Sequence, residues 1–335
     1  MIAGIHYMRG IAALMVVVFH AISFLVIYRG YDSPIAHHVL ATGVDIFFVI
    51  SGFLMVRTTR RFDGGRLDWR QFLKKRLVRI APLYWALTLA LAALLLFKPD
   101  LAERQIDLSF LLKSLAFLPT EVPGSDVQST IIPVGWTLVY EMFFYAVFAF
   151  ATALSYRAGL IGVAAFFVLI ASLHGYFSNY YLSLYSNPII LEFVFGMAIA
   201  RLRAPSLRMG WVFVAVGFVA LVAGAYVAGE KLEYRPFTVG IGAALIIYGA
   251  SGISVERALI GLTVLGDMSY SLYLTHGYVI KLGSKFVPPS AASVGVLTVA
   301  SIVGAYIVYR LVELPVQNFL SSKSNSAPGL AAERA

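Results

Sequence analysis

Cysteine is absent from the 335-residue chain. That excludes disulfides, a thiolate nucleophile and cysteine-ligated zinc from the protein's own chemistry. Charge is scarce as well, with Asp, Glu, Lys and Arg making up only 13% of the residues, against about 25% in a soluble globular chain. No Walker loop, H-E-x-x-H motif or nucleophile elbow occurs. The Gly240-Ile241-Gly242 stretch lacks the third glycine of a dinucleotide-binding turn. Ser51, in Ile50-Ser51-Gly52, lacks the flanking glycines of a covalent serine nucleophile. No internal repeat is visible, and a repeat is the usual mark of a secondary transporter.

What the chain has instead is apolar residues, 60% of the total, gathered in long blocks. A membrane-spanning helix needs about 20 of them. Candidate spans fall at about 6–28, 39–57, 77–97, 134–155, 159–174, 188–201, 210–228, 236–252, 258–283 and 290–320. The expected fold is therefore an all-α polytopic bundle of about ten transmembrane helices, with one domain over 1–320 and a small polar, disordered tail over 321–335. The first block, His6 to Tyr28, exceeds the hydrophobic core of a cleaved signal peptide and is taken as the first span. Gly266, Asp267 and Ser269 predict a break in the ninth span. The segment 106–119 is too short to cross and is expected in the interface or against the bundle. Gly242, Gly249 and Gly252 predict close helix packing.

The net charge of +9 does not point to nucleic acid, because the basic residues cluster in loops between apolar blocks. Arg57, Arg60, Arg61, Arg66, Arg70, Lys74, Lys75, Arg76 and Arg79 follow the second span, which places that loop in the cytoplasm. Arg157, Arg201, Arg203, Arg208 and Arg257 agree in later loops. Ten spans then put both termini on the cytoplasmic side of a bacterial inner membrane.

Polar groups inside apolar spans are costly, at about 2.5–3.5 kcal/mol for a charge on insertion scales, and mark functional sites or paired groups. They fall in two layers: Arg9, Arg76, Arg79, Arg310 and Glu313 near the cytoplasm, and His20, Asp45, Glu141, Glu192 and His276 toward the outer face. Arg9 and His20 are eleven residues apart. Eleven helical steps make three turns plus about 20°, so both point one way at an axial separation of roughly 16 Å. A phosphate-bearing donor with a long arm, such as acyl-CoA, fits that spacing. The alternatives are a snorkelling arginine and a hydrogen-bonded bundle histidine. Asp45 also reads as a helix cap, and Arg76 and Arg79 as plain positive-inside residues. His37-His38 lacks further ligands for a metal.

These residues resemble a known family. RGIAALMVVVFH, with Arg9 and His20, is similar to the R-x10-H signature of acyltransferase-3 membrane proteins. GVDIFFVISGF (43–53), KKRLVRIAPLYW (74–85), GWTLVYEMFFY (135–145), GDMSYSLYLTH (266–276) and VELPVQN (312–318) resemble its later blocks, in order. The fourth-span form is similar to that of exopolysaccharide-production acetyltransferases, such as those modifying succinoglycan. The resemblance implies a ten-span O-acetyltransferase that takes acetyl-CoA from the cytoplasm as a donor substrate, with no permanently bound cofactor. It delivers the acetyl group to a hydroxyl of an exported polysaccharide or its lipid-linked precursor.

On this expectation Arg9, Arg76 and Arg79 hold the donor phosphates. His20 acts as base or transient acyl acceptor, Glu141 orients it or holds the acceptor, and Asp45 is a second catalytic candidate. Trp136, Tyr140, Glu192 and His276 are candidates for substrate binding. Partners are acyl-CoA, a glycan or lipid-linked saccharide, membrane lipids and the polysaccharide synthesis and export machinery. The rival readings are a saccharide or lipid transporter or flippase, and a scaffold in a synthesis complex. Neither needs R-x10-H together with a cytoplasmic arginine cluster.

Overall fold

A computed structural model describes residues 2–33, 37–98, 106–120, 130–229, 231–254 and 259–325. These residues form helices and connecting turns, without strands. The helices are α1 (Ala3–Arg29), α2 (Gly43–Thr59), α3 (Trp69–Phe97), α4 (Leu108–Leu115), α5 (Trp136–Leu154), α6 (Tyr156–Ser172) and α7 (Tyr180–Ser186). They continue as α8 (Leu191–Arg201), α9 (Leu207–Ala228), α10 (Ile241–Ser251), α11 (Ile260–Asp267), α12 (Ser269–Gly283), α13 (Ala291–Val308) and α14 (Leu314–Asn325).

Seven helical stretches are long and apolar enough to cross a membrane: Ala3–Arg29, His38–Phe62, Trp69–Phe97, Pro133–Leu154, Tyr180–Arg201, Leu207–Ala228 and Ala291–Leu320. Three of the ten expected spans fall short of that length, each for a local reason. Tyr156–Ser172 is apolar but has only 17 residues. The 236–252 segment begins in a π turn, Pro236–Gly240, before α10. The 258–283 segment is broken at Met268, where ψ moves to 7° between α11 and α12. That break lies where Gly266, Asp267 and Ser269 predict it. The chain at 321–325 continues α14 as helix, and 326–335 lie outside the described residues.

Helix ends follow ordinary capping chemistry. The Asp68 carboxylate accepts from the Gln71 N–H at 3.1 Å and starts α3. Asp107 does the same for α4 at 2.6 Å. The short α4 lies against α3, where Tyr84 donates to the Ser114 carbonyl at 3.1 Å and the Trp85 indole N–H donates to the Leu115 carbonyl at 2.7 Å. It therefore packs on the bundle and does not cross it.

With hydrocarbon outside, burial of apolar surface gives little drive for helix association, so close backbone approach carries the packing. A Cβ on Gly52 of α2 would lie 2.0 Å from the Phe193 carbonyl oxygen of α8. One on Gly196 of α8 would lie 2.0 Å from the Val49 carbonyl oxygen of α2. The same device joins α9 to α10, where Gly242 meets Leu221 and Gly249 meets Gly210 backbone to backbone. Gly252 meets the Pro205 carbonyl.

The loop after α2 is tied down by charge. Asp63 accepts from Arg157 at 2.7 Å and from Arg201 at 3.0 Å. These hydrogen bonds hold its carboxyl below the usual value of 3.8.

Candidate active site

The Arg9 and His20 side chains, on one stripe of α1, both meet α12. Arg9 is buried, and its Nη2 donates to the Ser269 hydroxyl at 3.0 Å. Ser269 in turn donates to the Gly266 carbonyl at 2.9 Å, across the break between α11 and α12. Eleven residues further along α1, His20 Nδ1 lies 3.2 Å from His276 Nε2 of α12. The helix-break residues that looked like a span defect in the sequence thus position the buried guanidinium.

Backbone carbonyls fix the tautomers of both imidazoles. His276 Nδ1 lies 2.9 Å from the Leu272 carbonyl, and His20 Nδ1 lies 2.9 Å from the Val16 carbonyl. A carbonyl only accepts, so each neutral ring carries its proton on Nδ1. His276 Nε2 then has a lone pair and accepts from the His20 Nδ1–H. His20 Nε2 is left with a free lone pair. His276 is fully buried and His20 only partly so, so His20 is the ring with access for a reactant.

Around Arg9 lies a cavity of about 100 Å³, lined by Arg76 and Arg79 of α3, Ser51 of α2, Glu141 and Tyr145 of α5, and Tyr270 and Tyr273 of α12, among others. Arg76 donates to the Thr58 hydroxyl at 3.2 Å, and its Nε is buried without a hydrogen-bond partner. Its guanidinium carbon lies 5.4 Å from the Phe72 ring centre and 5.9 Å from that of Tyr145. Arg79 is exposed at the cavity mouth. Three guanidinium groups around one carboxylate make the space positive, and such a space suits phosphate.

Glu141 stands with the arginines and not with His20. Its Oε1 accepts from Ser51 Oγ at 2.9 Å and from the Tyr145 hydroxyl. Counting from the start of its span places Glu141 toward the outer face. That start lies inside the bundle, because Ile131, Ile132 and Gly135 are all buried before α5 begins. The partner that orients His20 is His276.

The cavity stops short of the histidines. Tyr273 lines it, and the Tyr273 ring lies 5.8 Å from Phe47 and 6.1 Å from His276. The Tyr273 hydroxyl and the Thr137 hydroxyl are 2.8 Å apart. An aromatic wall therefore separates the arginine cavity from the imidazole pair, where the sequence reading expects an open run between them. An acyl-pantetheine arm running from this cavity to His20 would have to pass that wall.

Four expected site residues lie elsewhere. Asp45 is fully buried and ion-paired with Arg235, whose Nε donates to Oδ1 at 3.0 Å and whose Nη2 donates to Oδ2. Glu192 is also fully buried, close to Gly240. Tyr140 is buried and donates to the Leu184 carbonyl at 2.8 Å. Trp136 packs edge-on to Phe48 and Tyr140. None of the four lines the cavity. Sequence reasoning passes over Arg235, Tyr145 and Tyr273, weighs Ser51 only as a nucleophile, and reads Ser269 only as part of a helix break. An arginine at the entrance of a span, in Tyr234-Arg235-Pro236, is the signal that could have assigned a partner to Asp45. The hydroxyl residues carry no charge to reveal them.

Glu313, expected in the inner layer, sits in a π turn (Tyr309–Glu313) and accepts from Ser271 at 2.5 Å and from Gln317 at 3.0 Å. Arg310 of the same turn is exposed. Among the described residues no His, Asp and Glu cluster has the makings of a metal site.

A family profile described as "Acyltransferase domain" matches residues 2–310. The chain is similar to "Exopolysaccharide production protein ExoZ" of Rhizobium meliloti (strain 1021), 34% identical over 74% of this chain and 80% of that one. It is also similar to "Acyltransferase MdmB" of Streptomyces mycarofaciens, 25% identical over 82% of this chain and 79% of that one. No solved structure matches significantly. With nearly the whole helical bundle inside the matched range, the chain belongs to the acyltransferase-3 family and is an acyltransferase.

Proposed function

We propose that the protein is a ten-span inner-membrane O-acetyltransferase that moves an acetyl group from cytoplasmic acetyl-CoA to a hydroxyl of an exported polysaccharide or its lipid-linked precursor. The observation that carries this reading is the joint placement on α1 and α12 of a buried guanidinium in a positive cavity and, further along the same two helices, a paired imidazole. The similarity to an exopolysaccharide production protein supports the acceptor class. Counting Tyr156–Ser172, Pro236–Ser251 and the broken Ile260–Gly283 pair as crossings brings the seven long spans to ten. The arginine-rich loop after α2 then faces the cytoplasm.

Arg9, Arg76 and Arg79 hold donor phosphates by charge-assisted hydrogen bonds. The Tyr273–Phe47 wall opens for the acyl-pantetheine arm, which brings the thioester to His20. The His20 Nε2 lone pair takes the acceptor hydroxyl proton as the oxygen attacks the thioester carbon. The C–S bond breaks, the thiolate leaves, and the proton on His20 passes to the sulfur. The Val16 carbonyl fixes the His20 tautomer that leaves Nε2 free, and His276 adds a second restraint on the ring. Glu141 keeps Ser51 and Tyr145 in place beneath the arginines. Base catalysis of this kind supplies about 10²–10⁴-fold.

The test is purified protein in liposomes with acetyl-labelled CoA and candidate glycans. Label on the glycan, lost in His20→Ala, is the expected result. Movement of the saccharide without label transfer would make the protein a transporter. Normal acetylation by His20→Ala would remove the imidazole from the chemistry.

A further inference from the structure

A second basic cavity lies on the other side of α2. It has a volume of about 360 Å³ and is lined by Arg57, Arg60, Arg201 and Arg203, with Phe53 and Leu202 among its apolar walls. Ser51 and Leu54 of α2 face the arginine cavity described above. Phe53, Arg57 and Arg60 lie roughly 180–240° around the helix from Ser51 at about 100° per residue. The helix body thus separates the two spaces. Both are at the same end of the bundle, since Arg76 reaches Thr58, next to Arg57.

The charge here exceeds what the fold itself uses. Arg201 is paired with Asp63. Arg57, Arg60 and Arg203 make no ion pair among the described residues. Three helix C-terminal ends, those of α2, α8 and α10, border the cavity through Arg60, Leu202 and Ser251. Each carries about half a negative charge, so together they offset about one and a half of these positive charges. About one and a half remain, before the N-terminal end of α1, which also borders the cavity through Ile2, adds its share. Guanidinium forks match phosphate oxygens, and apolar walls at helix ends belong where lipid headgroups lie.

We infer that this cavity is a binding site for a phosphate-bearing headgroup, separate from the donor site and independent of the acyl-transfer reading. Its natural sources are an anionic bilayer phospholipid or a soluble phosphate, and the two are distinguishable.

The full chain is placed in nanodiscs of phosphatidylcholine with a minor fraction of phosphatidylglycerol, and the lipids retained by the protein are counted by native mass spectrometry. In a second arm, inorganic phosphate is titrated in phosphatidylcholine discs while thermal stability is followed. At about 1 kcal/mol per basic residue, phosphatidylglycerol is retained at least about tenfold over its share of the disc. Arg57→Gln/Arg60→Gln/Arg203→Gln brings it near parity. High salt does the same to the unmodified protein, which needs no variant to fold. Arg70→Gln/Lys74→Gln/Lys75→Gln removes three exposed charges from the same end and leaves the preference in place. Stabilisation by inorganic phosphate alone, lost in the Arg57/Arg60/Arg203 variant, assigns the site to a soluble phosphate. Equal loss in both triple variants, or no preference for either probe, overturns the proposal.

Discussion

Replacing His276 with leucine separates the two imidazoles by role. The substitution keeps an apolar side chain of similar bulk at a fully buried position. It removes the Nε2 acceptor that lies 3.2 Å from His20 Nδ1. His20 keeps its second acceptor, the Val16 carbonyl at 2.9 Å, so its tautomer survives while its ring loses one of two restraints. A neutral hydrogen bond is worth about 0.5–1.5 kcal/mol net, which at about 1.36 kcal/mol per decade is a 2- to 13-fold loss of rate. Removing the proposed base itself, with His20→Ala, is expected to cost about 10²–10⁴-fold. His276→Gln restores an acceptor and recovers most of the loss. The double variant His20→Ala/His276→Leu is no slower than His20→Ala, because a positioning residue has nothing left to position. The assay is single-turnover acetyl transfer from labelled acetyl-CoA in proteoliposomes, with folding followed by fluorescence-detected size exclusion. A larger loss from His276→Leu than from His20→Ala would refute the assignment and make the buried ring the reactive one.

Arg76→Gln removes a guanidinium with an unpartnered Nε facing the positive cavity. It is expected to raise the KM for acyl-CoA about tenfold or more with kcat little changed, as for loss of a charge-assisted bond; an unchanged KM would take Arg76 out of the donor site. Glu141→Gln keeps an acceptor oxygen for Ser51 and Tyr145, whereas Glu141→Ala leaves two hydroxyls unpartnered at about 1–3 kcal/mol each. Equal melting temperatures for the two variants would contradict that network. Gly52→Ala forces a methyl to within 2.0 Å of the Phe193 carbonyl oxygen, and overpacking of this kind costs about 1–3 kcal/mol; an unshifted thermal transition would show that α2 and α8 separate freely. Because the Asp63 carboxyl is held below 3.8, its tether is present above that value and is lost as pH falls through the lower folded one. Proteolytic nicking of the 60–66 loop in Asp63→Asn at neutral pH should therefore match that of the unmodified protein at low pH.

Much of the bundle is legible in the residues. The apolar blocks place the long helices, and Gly266, Asp267 and Ser269 mark the break that the backbone makes at Met268. The eleven-residue interval from Arg9 to His20 places both on one stripe, and both meet α12. Depth is less legible. Counting from the start of its span puts Glu141 toward the outer face, but residues 130–132 are already buried before α5 begins, and no local signal reports that. Pairing across distant segments is also hidden. Asp45 and Arg235 are 190 residues apart; each signals that a buried charge needs a partner, but neither segment says which. Hydroxyl partners such as Ser51, Ser269 and Thr137 look like ordinary small residues until three helices bring them to one place.

Tyr273 is a ring shared by the charged vestibule and the imidazole pair. Water that follows phosphate into that vestibule meets an aromatic barrier clasped to Thr137 before it meets an imidazole. On the proposed reading, a resting enzyme built this way would protect a donor thioester from wasteful hydrolysis. Loosening the clasp, as in Tyr273→Ala, would be expected to uncouple donor consumption from glycan labelling, so that free acetate accumulates where ester should form.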